Sequence, residues 1–186
     1  MDALYSPPVR TRPGEITITP WSFQSLGVPL WAMSQVPPAT AVWPAAGLVI
    51  FVPFRVPESV ICTKMFWGVG TASGNLDCGI YDESANRLVS IGSTAASGSS
   101  SLQVVDTADT LLVRGRYYMA LVADTGATLT IYRVAPAAGI GQSLGLLQQA
   151  SVTLPLSSNA SPATFAKYTQ AYIPVVGLQC YRTVGP

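Results

Sequence analysis

Residues able to do chemistry are few in this sequence and restricted in type. Histidine is absent from all 186 residues. That removes the Ser-His-Asp and Cys-His nucleophile systems, the common zinc and non-haem iron ligand sets, and the usual proton shuttle. A Ser-Lys pair would have to use Lys64 or Lys167, and neither lies in a recognisable nucleophile turn. Two carboxylates across a groove would suit a glycosidase, with Asp77, Asp82, Glu83, Asp106, Asp109 and Asp124 as candidates. Four of these, Asp82, Asp106, Asp109 and Asp124, fall at turns, where an Asp side chain bonds nearby backbone amides. Asp77 differs, because it lies mid-strand between Leu76 and Cys78. Alternation sends it to the face opposite those two, toward solvent, a salt bridge or a concave groove. A loop calcium site would want a run of the DxDxDG kind, which is missing. Gly68-Val69-Gly70 with Gly74 lacks both the GK[ST] and the helix of a phosphate loop. The expectation is therefore no enzyme, no cofactor and no metal.

Aromatic residues invite a binding role instead. Trp67 and Tyr81 flank the loop 70–74, and Asn75 and Asp77 lie beside them, a set that would serve as a glycan platform if it were exposed. Against it stands strand geometry: neighbours point to opposite faces, so one of Phe66 and Trp67, and one of Tyr117 and Tyr118, is expected in a core. Cys62, Cys78 and Cys180 are odd in number, widely spaced and set in apolar runs, which predicts free thiols packed as small hydrophobes.

Composition limits the partners. Hydrophobic residues make up 49% of the chain and charged ones only 10%, against a typical quarter, so part of the surface is expected under a partner or supplied by uncharged polar residues. The arginines are scattered and the net charge is +1, which leaves nucleic acid without an electrostatic foothold. The most apolar run, 45–52, is cut by Pro44 and Pro53 and is far too short to cross a bilayer, so no membrane is expected. Residues 1–8 show neither the charged nor the apolar region of a signal peptide, and assembly in a cytoplasm is the corresponding expectation.

The elements that must position these residues are strands. Residues 48–56, 60–69, 75–82, 87–91, 101–106, 111–113, 117–122 and 127–134 are β-branched, aromatic or alternating runs separated by Gly, Asp, Asn and Ser turns. Residues 164–181 read as one or two closing strands, with Pro174 favouring an edge or bulge. Only 141–150 offers a helical pattern, weakened by two glycines, and 93–101 reads as a surface loop. The spacing predicts an all-β antiparallel jelly-roll or β-sandwich over residues 45–186. Residues 1–44 look different: eight prolines recur there, interleaved with Tyr5, Trp21, Phe23, Trp31 and Trp43. This predicts an extended arm whose aromatics anchor on something, with one strand at 15–19. Trp21, Trp31 and Trp43 are candidate anchors, and Ile16 and Ile18 belong to a strand fit to extend a neighbour's sheet.

Two stretches carry a resemblance. GNLDCGIYD at 74–82, followed by NRLVS at 86–90 and GST at 92–94, is similar to a hairpin of virion β-sandwich modules of tailed bacteriophages. LVRGRYYMAL at 112–121 resembles their later hairpin, in which a turn glycine precedes a Tyr-Tyr pair and an apolar strand. Together they cover roughly residues 66–135. The resemblance implies a structural component of the particle, either a head decoration or fibre-type protein or a tail or baseplate component. It would be located in the virion and act by assembly with other virion proteins and as a homo-oligomer. The alternative reading is a lectin-like module contacting a host-surface glycan.

Overall fold

The computed structural model describes residues 15–18, 39–135, 139–160 and 166–182. They form two seven-stranded antiparallel sheets packed as a β-sandwich, as the turn spacing predicts. Sheet A comprises β1 (Glu15–Ile18), β2 (Ala39–Val42), β4 (Val60–Thr71), β8 (Ser99–Leu112), β10 (Thr130–Val134), β13 (Ile173–Pro174) and β14 (Val176–Arg182). Sheet B comprises β3 (Val49–Val56), β5 (Asn75–Asp82), β6 (Arg87–Ser90), β7 (Thr94–Ala95), β9 (Gly115–Ala123), β11 (Leu147–Gln149) and β12 (Ala166–Lys167). The pattern at 141–150 yields a single helical turn, α1 (Ile140–Ser143), after which Gly145 takes a positive φ of 80°. Among the described residues no helix is long and apolar enough to cross a membrane.

The chain crosses repeatedly between the sheets, and period-two alternation fills the space between them. Ile50, Val52, Phe54 and Val56 of β3 meet Leu76, Cys78 and Ile80 of β5 and Met119 and Leu121 of β9 on one side. Cys62, Met65, Trp67 and Val69 of β4 and Leu178 of β14 come from the other. The inward phase of β4 changes between Cys62 and Met65 because Thr63 is an extra residue against β14, where Lys64 and Cys62 oppose the consecutive Gln179 and Cys180. The three cysteines are buried and free, as their apolar setting predicts.

Sheet B is apolar on its other face as well. Val49, Phe51, Tyr81, Ala120 and Val122 form a second cluster with Ala85, Leu156 and Ala160. This explains why 48–56 and 117–122 read as continuous apolar runs: both faces of these strands are buried. The cover is the segment running up to Ala160, pinned by backbone bonds Val152–Gly47, Arg87–Ser158 and Ala160–Ala85.

Several boundaries differ from the sequence expectation. β2 pairs with β10, with Ala39 opposite Arg133 and Val42 opposite Thr130, so the sandwich takes in residues before 45. β1 pairs within the chain, Ile16 opposite Cys180 and Ile18 opposite Leu178, in place of extending a neighbour's sheet. The stretch 101–106 and the first two residues of 111–113 are one strand, β8, because a bulge at 107–109 absorbs the polar interruption between them. Part of the predicted loop at 93–101 is strand, in β7 and the start of β8. Residues 74–90 do form a hairpin, β5 with β6. Residues 112–121 instead arch from one sheet to the other, since β8 pairs with β4 while β9 pairs with β3 and β5. The Tyr117 hydroxyl donates to the Val113 carbonyl at 2.8 Å and closes that arch.

Candidate association surface

Of the residues singled out by sequence, Trp43, Trp67, Tyr81 and Asp77 are buried. Trp43 is fully buried in the core of its own sandwich. Its indole N–H donates to the Leu48 carbonyl at 3.2 Å, and its ring meets Tyr172 edge-on at 5.5 Å. It is therefore no anchor for a neighbour, because β2 has delivered it between the sheets. Trp21 and Trp31 lie outside the described residues. Trp67 and Tyr81 are buried on opposite sheets, Trp67 in the central core and Tyr81 beneath the cover of sheet B. Asn75 is partly exposed, but its backbone N–H and side-chain amide both donate to Asp124 at 2.8 Å. These four residues do not converge on a glycan platform, because alternation and the unforeseen cover put the two rings in separate cores.

Asp77 faces neither solvent nor groove. It is fully buried beneath the cover of sheet B. It accepts the Leu156 backbone N–H at 2.7 Å, and the Ser90 hydroxyl lies 2.8 Å from both of its oxygens. Burial pushes its carboxyl above the usual carboxylate range; the Leu156 and Ser90 bonds and the nearby Arg87 charge oppose that rise without cancelling it. Gly79, two residues on, leaves room for Leu156: a Cβ there would lie 3.1 Å from Leu156 Cδ1 and 3.0 Å from the Val89 carbonyl oxygen. The Tyr81 hydroxyl donates to the Ser157 carbonyl at 2.7 Å, and burial drives its pKa up to about 12. The arrangement is a clasp holding the cover to the sheet. Among the described residues no group of three or more His, Cys, Asp or Glu is placed to hold a metal ion.

The outer face of sheet A is the contrasting surface. Seven large hydrophobic residues are exposed among the described ones, and four of them, Leu102, Val104, Leu111 and Val113, lie on β8 or just past it. Cross-strand register arranges the outward residues in rows. Gly177, Phe66 and Val104 form one row, and Gly68 with Leu102 the next. Gln179, Lys64 and Asp106 form a polar row beyond them, with the Lys64 ammonium 3.1 Å from the Asp106 carboxylate. Farther along, Tyr181, Ile61 and Leu111 are again largely apolar.

Two glycines shape the floor of this face. A Cβ at Gly177 would sit 2.3 Å from the Phe66 ring, and one at Gly68 would sit 2.7 Å from Tyr132 Cβ. The rings lie across bare backbone, as aromatic side chains do over sheet glycines. Beside them opens a depression of about 430 Å³ lined by Gly68, Ser100, Ser101, Leu102, Tyr132 and Val175. No family, no curated protein and no solved structure matches this chain. The surface must therefore be read from its own chemistry. Sequence reasoning placed 101–106 in a strand but gave no sign of which face of that strand would be left exposed. The signal available was Leu102 and Val104 at period two within a neutral run.

Proposed function

We propose that this chain is a structural component of a tailed-phage virion that works by protein–protein assembly, with the outer face of sheet A as its association surface. The observation that carries the assembly role is the cluster of exposed apolar side chains along β8, set beside the Phe66 and Tyr132 rings. Fully burying a Leu or Val side chain is worth about 1.5–3 kcal/mol, so seating Leu102, Val104, Leu111 and Val113 against a partner would supply useful association energy from half-exposed residues. The Lys64–Asp106 row gives that surface a polar marker for register. The low charge of the chain fits a molecule whose surface is partly covered in its working state.

The place in a virion is supported by the resemblance of residues 74–94 and 112–121 to phage sandwich modules. Those residues build the β5–β6 hairpin and the arch into β9. The reading is of a chain without catalysis that decorates a head or builds a fibre, tail or baseplate. Its test is mass spectrometry of purified particles produced from a genome encoding this chain. Peptides of the chain at a stoichiometric, reproducible level are expected, and their absence from intact particles would overturn the assignment.

A further inference from the structure

The edge of β8 specifies a partner more narrowly than its apolar face does. β8 spans fourteen residues and forms a ladder on one side only, with β4, among the described residues. Its other side presents backbone donors and acceptors that another strand satisfies best. Natural edges are usually guarded by lysine, proline or short length. β8 contains neither residue, and its run from Ser99 to Val105 carries no charge at all. The bulge at 107–109 ends the regular part of the edge on one side and Ser100, with a positive φ of 50°, on the other, leaving 101–106 as the straight segment.

We propose that two copies of this chain pair antiparallel through β8 about a two-fold axis at Gln103, an inference that rests on the association reading above. Directly opposite residues in an antiparallel pair share a face, so the outward residues Leu102, Val104 and Asp106 must oppose outward residues of the copy. Centring on Gln103 sets Leu102 opposite Val104 of the second copy, and Val104 opposite its Leu102. The same register carries Asp106 beyond the regular segment of the copy, to its Ser100, so that no carboxylate faces another. Centring on Val104 would instead oppose Leu102 to Asp106, and centring on Asp106 would oppose two carboxylates. Only the Gln103 register gives two reciprocal apolar pairs with no like charges facing. Gln103 is itself held: its side-chain amide donates to the Ala95 carbonyl at 2.8 Å and its oxygen accepts the Ser97 N–H at 2.9 Å. The strand is thus fixed at the position of the axis.

The test is sedimentation velocity of the full chain across a concentration series, with Leu102→Lys and Val104→Glu variants alone and mixed. Both positions are exposed, at 59% and 46%, and unchanged thermal melting confirms that each variant is folded. The wild-type chain is expected to dimerise, and each variant alone to associate roughly tenfold or more weakly. An equimolar mixture is expected to recover, because the register sets the new lysine opposite the new glutamate and leaves one apolar pair intact. A wild-type chain that stays monomeric, variants that dimerise normally, or a mixture that does not recover would each overturn the proposal. None of these outcomes touches the virion assignment, which is decided by the composition of purified particles.

Discussion

On the outer face of sheet B, Phe51, Tyr81 and Val122 lie beneath the segment that carries Leu156 and Ala160. On the outer face of sheet A, Leu102 and Val104 are 59% and 46% exposed, beside the buried Phe66 ring. Both faces are apolar, and both use glycine to let a side chain lie close to the sheet, Gly79 under Leu156 and Gly177 under Phe66. The difference is the clasp. Sheet B carries Asp77, Ser90, Tyr81 and Arg87, each bonded to the cover or to a residue that is. The described part of sheet A has no such clasp, and its polar row carries the exposed Lys64–Asp106 pair. An apolar sheet face closed within the chain is thus recognisable by buried polar groups that bond its cover. One open to a partner shows a polar row left at the surface.

The largest test of this contrast is truncation on each side. Phe51→Ala should cost about 3–5 kcal/mol, because it opens a cavity beneath the cover. Leu102→Ala should stay within about 0.5 kcal/mol in the isolated chain. Urea denaturation of both variants checks this, and similar costs at the two sites would erase the distinction between the faces.

Smaller effects sharpen it. Asp77→Ala leaves the buried Leu156 N–H without a partner and should cost about 1–3 kcal/mol. Asp77→Asn keeps an acceptor and should cost less, while changing the pH dependence. The sign follows from the raised carboxyl: the folded chain holds that proton more tightly than the unfolded chain does. Its stabilising contribution is full below the ordinary carboxylate pKa and is lost as pH rises through the raised value. Denaturation midpoints measured across that window should fall for the wild type relative to Asp77→Asn as pH increases. A relative rise would mean that the bonds to Leu156 and Ser90 outweigh burial.

Gly177→Ala forces the Phe66 ring off the sheet and should cost about 1–3 kcal/mol by overpacking, read as a lowered melting temperature. Tyr81→Phe removes the hydroxyl donated to Ser157 and should cost about 0.5–1.5 kcal/mol, measured in the same way.

The sandwich was legible because alternation and turn residues are local signals, and residues 75–82 show both. The buried thiols followed from their neighbours in the same way. The Asp77 clasp was not legible, because its partner Leu156 lies 79 residues away and nothing in a loop sequence announces that it will lie over a sheet. Trp43 misled for a related reason. Its proline-rich surroundings suggested an arm, while pairing of Ala39–Val42 with β10 carries it into the core. The proposed association surface fell between these cases: the strand at 101–106 and its apolar period at Leu102 and Val104 were legible, but which of its faces would stay exposed was not.

The central claim is that the face of sheet A is covered only on assembly. Hydroxyl-radical footprinting of the dilute chain and of the chain within purified particles tests it directly. The account predicts that Leu102, Val104 and Leu111 are labelled in the dilute chain and protected in the particle, while Phe51 and Tyr81 are protected in both. Equal labelling of Leu102 and Val104 in the two states would contradict it.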